Sequence, residues 1–114
     1  MHEFSLMTGV LDAVETAARE NNATRITEIR LVVGDMAEVL EDAMDFAFEA
    51  LTPGTLAEGA CLTMTRIKPK SRCRACNTEF EHDRLRFSCP ECDSLATELL
   101  AGKEMYIGSM EIET

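Results

Sequence analysis

Leu6, Met7, Val10, Leu11, Val14, Ala17 and Ala18 recur three and four residues apart, the spacing that places side chains on one face of a helix. Ser5 precedes them as a candidate N-cap and Asn21-Asn22 follows as a stop. From residue 25 to 33 the period drops to two. Thr27, Ile29, Leu31 and Val33 fall on one face of a predicted strand, with Ile26, Glu28, Arg30 and Val32 on the other. Gly34-Asp35 turns the chain. Leu40, Met44, Ala47, Phe48 and Leu51 then form the stripe of a second helix. Glu38, Glu41 and Asp42 are expected in its first turn, where the helix dipole favours negative charge, and Thr52-Pro53-Gly54 ends it.

Past Glu58-Gly59, residues 60–68 read as a strand in which Leu62 and Met64 alternate with Thr63 and Thr65. Pro69-Lys70 marks an exit and Ala101-Gly102 a return. Residues 104–113 read as the last strand, with Met105 and Ile107 on one face and Tyr106, Met110 and Ile112 on the other. The pattern predicts an α+β fold: a small, three-stranded, mostly antiparallel sheet with two helices on one face and an insert between two strands. Strands that leave for an insert and return from it are expected to be antiparallel neighbours.

The insert carries the strongest chemical signal. Cys73-x2-Cys76 is followed twelve residues later by Cys89-x2-Cys92, the spacing of a four-thiolate zinc site. Each pair lets two sulfurs of one tight turn reach the same ion, and the dozen residues between them suffice for a short hairpin. Pro90 pre-sets one turn, and Asn77 and Asp93 follow their pairs where turn-tolerant residues are wanted. Two disulfides or scattered core thiols are the competing interpretation; without an export signal, paired spacing favours metal. A closed four-thiolate shell has no position for water, so this zinc should hold structure and do no chemistry.

Composition narrows the field. The chain has 114 residues, 46% apolar but only 5% aromatic with no Trp, so the core must rest on Leu, Ile, Val, Met and Ala. No apolar run approaches bilayer length, and Met1-His2-Glu3-Phe4-Ser5 lacks the basic leader of a secretory signal, so a cytoplasmic protein with reduced thiols is expected. The net charge of −10 is uneven: residues 66–86 hold seven basic and three acidic side chains, against three basic and twelve acidic in residues 1–65. That basic stretch is too small, on so acidic a protein, for the sustained positive surface that nucleic acid requires. It is assigned to neutralising the thiolate centre or docking an acidic protein. Cys61 reads as a small buried strand residue, His82 as a solvated loop histidine, and the seven Met residues as core filler. Glu41, Asp42 and Asp45 read as a solvated helix face.

The N-terminus is the second informative stretch. An α-amino group followed directly by His2 offers the amine, the His2 amide once deprotonated, and the imidazole. Together they close a five- and a six-membered chelate ring in one plane. That donor set suits square-planar Ni(II) or Cu(II) and does not suit tetrahedral zinc. The fourth position is open to Glu3, to another carboxylate or to a partner's donor. Coordination needs a neutral imidazole, so the metal is expected to be released as pH falls.

Taken together, these residues resemble the HypA/HybF family of nickel metallochaperones. The resemblance runs through Met1-His2-Glu3-Phe4-Ser5, Val32-Val33-Gly34, Phe46-Ala47-Phe48-Glu49, Glu58-Gly59-Ala60 with Leu62, the two cysteine pairs with Phe80, and Gly102-Lys103-Glu104-Met105. It implies a nickel site on the N-terminus with His2 essential, a structural zinc, docking to a HypB-type GTPase, and delivery of nickel to the hydrogenase large subunit. It also implies possible contact with urease maturation proteins. Nothing in it implies an enzyme, a nucleic acid or a membrane, and a monomer or weak homodimer is expected. Two departures stand out: Asp93 where the family often has Gly, and Leu40 where some relatives place a carboxylate that ligates nickel, so that Glu38 or Glu41 would have to substitute.

The expected division is a nickel-binding α+β domain of residues 1–69, completed by 101–114, and a zinc ribbon of residues 70–100. The metal set is Met1, His2 and Glu3 for nickel, and Cys73, Cys76, Cys89 and Cys92 for zinc. An adaptor whose ribbon only docks proteins is the alternative. A zinc hydrolase is disfavoured by the closed shell and by the lack of a nucleophile–base set.

Overall fold

The structure is a computed structural model and describes residues 2–114. The expected nickel ligand Met1 lies outside the described residues. The element order is α1 (His2–Glu20), β1 (Arg25–Gly34), α2 (Glu41–Leu51), β2 (Cys61–Ile67), β3 (Lys70–Cys73), β4 (Glu79–Glu81), β5 (Thr97–Ala101) and β6 (Met105–Glu113). Two three-stranded sheets result, ordered β2-β1-β6 and β4-β3-β5. The strands flanking the insert are therefore not neighbours: β1 lies between them. Pairing on both edges of β1 gives its apolar residues a central, covered position, which an edge strand would not offer them.

Helix α1 starts earlier than Ser5, which lies exposed inside its first turns. A side chain outside the expected cap fixes this start. The Glu3 carboxylate accepts a hydrogen bond from the Leu40 backbone amide (3.2 Å), and Phe4 packs edge-on against Phe46, ring centroids 5.9 Å apart. At the other end Asn22 takes a left-handed conformation (φ 59), with Asn22 N–H bonded to the Arg19 carbonyl and Ala23 N–H to the Ala18 carbonyl, closing a Schellman motif. The Asn21-Asn22 stop is thus a C-terminal cap. Helix α2 begins at Glu41 behind an extended Leu40, and Glu38 lies outside its first turn.

Contact clustering divides the chain into two compact units. The first comprises residues 2–31, 39–65 and 106–114. Met7, Val10, Leu11, Val14 and Ala18 of α1, Met44, Ala47 and Phe48 of α2, and Ile26, Ile29 and Leu31 of β1 are buried there. The opposite face of its sheet is polar: Arg30 pairs with Glu28 (2.9 Å) and Glu111 (3.2 Å), and the Thr63 hydroxyl donates to Glu28 (3.3 Å). One apolar face and one charged face put both helices on the same side. The alternation drifts twice. Ile26, expected opposite Ile29, is fully buried, and along β6 the half-buried positions run Met105, Ile107, then Met110, Ile112. A phase change at Gly108-Ser109 brings Met110 and Ile112 to the side of Ile107, as an extra residue in a strand does.

The second unit comprises residues 32–38 and 66–105. Strand β3 is central and antiparallel to both neighbours, with Ser71 opposite Phe80 and Cys73 opposite Thr97. Three chain segments are fastened at its base. Gly34 N–H donates to the Glu104 carbonyl (2.7 Å), Asp35 N–H to Ile67 (2.9 Å) and Met36 N–H to Gly102 (2.7 Å). These backbones approach so closely that a Cβ on Gly34 would lie 2.0 Å from the Gly102 oxygen.

Candidate metal centre

The four ribbon cysteines converge. Their sulfurs all lie within 4.8 Å of one another, with Cys73 Sγ 3.6 Å from Cys92 Sγ and Cys76 Sγ 3.6 Å from Cys89 Sγ. A disulfide requires about 2.05 Å, so no pair is bonded. A tetrahedron with metal–sulfur distances of about 2.3 Å has edges of about 3.8 Å, close to what is seen. Cys73 and Cys89 are buried while Cys76 and Cys92 face outward.

Each pair builds the same turn. Asn77 N–H reaches the Cys73 carbonyl (2.8 Å) and Asp93 N–H the Cys89 carbonyl (2.9 Å). Cys73 N–H donates to the Thr78 carbonyl and Cys89 N–H to the Ser94 carbonyl, both at 2.9 Å. Ala75 and Glu91 amides point at the sulfurs of Cys73 and Cys89, both at 3.4 Å. Asn77 (φ 65) and Asp93 (φ 59) occupy the left-handed region, which is why turn-tolerant residues follow each pair. The first pair is itself the turn of the β3–β4 hairpin. The hairpin thus surrounds one pair and does not span the gap between the two.

Charge is shared unevenly among the thiols. The Thr78 hydroxyl, 3.2 Å from Cys76 Sγ, leads in lowering that thiol to about 6. Backbone N–H bonding, first from Cys76, also lowers Cys73. Cys92 receives a backbone bond from Ser94 that favours its thiolate, yet the adjoining sulfurs, Cys73 first, push it up to about 12. A bound dication supplies the positive charge that lets all four sulfurs ionise. Thr78 and Ser94 escaped notice in the sequence; their signal is a hydroxyl residue two positions after each second cysteine.

At the other expected site, His2 is exposed as the first residue of α1. Its amide lies in the first turn, where helical N–H groups have no intrahelical acceptor. The bond from the Leu40 amide leads in holding the Glu3 carboxyl below its ordinary range. Leu40 thus meets Glu3 through its backbone; its side chain is exposed.

Two sequence expectations need correction. Cys61 is exposed, because it opens β2 on the side of the outward-facing Thr63. His82 is half-buried, not a freely solvated loop residue. Its Nε2 lies 2.7 Å from the Ser71 hydroxyl and its Nδ1 2.7 Å from the Asp83 carbonyl, with the Phe80 and Phe87 ring centroids each 5.5 Å from its own. Nδ1–H donates to the Asp83 carbonyl, so in the neutral ring Nε2 accepts from the buried Ser71 hydroxyl. Both ring nitrogens are engaged within the ribbon, and His82 belongs to no metal-ligand cluster among the described residues.

Known proteins share the sequence and the fold of this chain. Residues 1–112 match the family described as "Hydrogenase/urease nickel incorporation, metallochaperone, hypA". The hydrogenase maturation factor HypA of Desulfitobacterium hafniense is 36% identical over 113 residues, covering 99% of both chains. That of Aquifex aeolicus is 38% identical, covering 99% of this chain and 98% of its own. Among solved structures, a solution structure of HypA protein has a TM-score of 0.73 at 25% identity over 98% of this chain and 96% of that one. The solution structure of the Ni metallochaperone HypA from Helicobacter pylori has a TM-score of 0.67 at 23% identity, covering 97% of each chain, a likeness of fold. Matched along nearly its whole length, the chain belongs to the HypA family, which is one of metallochaperones serving nickel incorporation and not of enzymes.

Proposed function

We propose that this protein carries Ni(II) on its N-terminus and hands it, with a HypB-type partner GTPase, to the large subunit of a nickel–iron hydrogenase in the cytoplasm. The observation that carries the reading is the start of α1: an exposed His2 whose amide has no helical acceptor, next to a Glu3 carboxylate held ionised. The Met1 amine, the His2 amide and the His2 imidazole supply three nitrogens in one plane, the donor set nickel favours. We assign the fourth position to Glu3, using the oxygen that Leu40 does not bond. Few ligands on a terminal turn hold the ion less tightly than a closed cage, which suits hand-off.

The ribbon is proposed to hold Zn(II) permanently through Cys73, Cys76, Cys89 and Cys92; sulfur spacing near that of a tetrahedral shell supports this ion. Residues 1–69 with 101–114 then act as the nickel domain and 70–100 as the zinc domain.

Nickel titration monitored calorimetrically and by the d–d absorption of a square-planar complex tests the proposal on three proteins: one starting at Met1, one with His2→Ala, and one with an N-terminal extension. Binding should weaken at least about a hundredfold in the latter two, as each loses a chelate ring. Equal affinity in all three would leave the adaptor reading, in which the ribbon docks proteins and the terminus is idle.

A further inference from the structure

The outward face of α2 sets an exposed phenylalanine among acidic side chains. Phe46 is 64% exposed and points away from the buried stripe of Met44, Ala47 and Phe48. Leu40, just ahead of the helix, is 69% exposed. At helical spacing Ala43 and Ala50 extend the apolar strip beside Phe46, and the Phe4 ring closes against it from α1. Isolated exposed apolar residues need no explanation, but Phe46, with the Phe4 ring against it and exposed Ala50 one turn on, is an apolar strip.

The charge around that patch is one-sided. Residues 31–65 contain seven acidic side chains and no Lys, Arg or His. Asp42, Asp45 and Glu49 run along the helix beside Phe46, all exposed. None of the three takes part in a salt bridge among the described residues, whereas Asp35 is paired with Arg66. An apolar strip flanked by uncompensated carboxylates is the complement of an amphipathic helix with basic flanks.

We infer that the Phe46 face of α2 docks a basic amphipathic helix of a partner protein, whose apolar residues cover Phe46 and whose Lys or Arg side chains meet Asp42, Asp45 and Glu49. A second copy presenting the same face would set these carboxylates against their equivalents, which two-fold pairing does not tolerate. Because the Leu40 amide bonds Glu3, a helix docked here lies beside the first turn of α1. The inference rests on the surface alone and holds whether or not nickel binds at His2.

The probe is a fluorescent synthetic leucine–lysine amphipathic peptide, titrated by anisotropy into the full metal-loaded chain without nickel. Controls are a peptide of the same composition in scrambled order and one with glutamate in place of lysine. Phe46→Ala is expected to weaken binding at least about fivefold, as loss of an anchor residue does. Asp45→Lys with Glu49→Lys should weaken it about tenfold at low salt, and added salt should narrow that gap. Glu111→Lys, on the polar sheet face, should leave affinity unchanged. Equal binding of the scrambled peptide, or wild-type affinity in both the Phe46 and the charge-reversed variants, overturns the inference. Phe46-dependent self-association in sedimentation would overturn it too, by making a second copy the occupant.

Discussion

Gly34 and Gly102 meet backbone to backbone, and Gly34→Ala converts that contact into a measurable clash. The new methyl would sit 2.0 Å from the Gly102 oxygen, 2.2 Å from its carbonyl carbon and 2.8 Å from the Lys103 nitrogen. Reaching ordinary contact at 3.4 Å demands a shift of about 1.4 Å, and every obstructing atom is main chain, with no flexible side chain to move aside. The Gly102 backbone has little room to retreat, since it is hemmed in by Pro69, whose Cα would lie 2.9 Å from a Cβ at that position. Overpacking of this kind costs about 1–3 kcal/mol. The bonds from Gly34 to Glu104 and from Met36 to Gly102 must stretch as well, at about 1 kcal/mol each. Reduced freedom of the unfolded chain returns about 0.5 kcal/mol. The net expectation is a loss of about 3 kcal/mol. Urea unfolding of the metal-loaded protein, followed by circular dichroism, should show a lower midpoint at unchanged slope. Gly9→Ala is the internal control: nothing lies within 4 Å of its Cβ in α1, so it should stabilise by about 0.5–1 kcal/mol. A Gly34→Ala loss under about 1 kcal/mol would refute the close approach.

Other outcomes follow from the same geometry. Removing the metal from the four cysteines should abolish ordered amide signals over residues 70–101 while the buried apolar core of α1, α2 and β1 keeps its own; loss of both together would contradict two separate cores. The Glu3 pKa is depressed below its ordinary 4.5, so its bond to Leu40 contributes above that pH and is lost as pH falls through the lower folded value. The Leu40 amide resonance should therefore titrate with a midpoint below 4.5 and stay still in Glu3→Gln; a midpoint at or above 4.5 would remove the link. Asp93→Gly should stabilise the ribbon by about 0.5–1 kcal/mol, since φ 59 costs a Cβ-bearing residue and not glycine. A destabilised variant would mean that the Asp93 side chain contributes something else.

Local chemistry was legible in the chain. Two Cys-x-x-Cys turns are closed by their own backbone bonds, so spacing foretold the four-sulfur cluster, and the turn-tolerant Asn77 and Asp93 that follow prove to be left-handed. Helix periodicity likewise located the buried Met44, Ala47 and Phe48 and the α1 stripe, but not Leu40, which lies exposed ahead of α2, and Asn21-Asn22 marked the end of α1. These features depend on residues a few positions apart. The start of α1, the half-burial of His82 and the exposure of Cys61 depend instead on partners or surroundings distant in sequence, such as Leu40 for Glu3 and Ser71 for His82. Strand order was undecidable for the same reason: alternation says which face of a strand is apolar, but not which edge it offers to β1. The contact of Gly34 with Gly102 is the clearest instance. Sixty-odd residues separate two glycines whose small size has meaning only once the fold has pressed their backbones together.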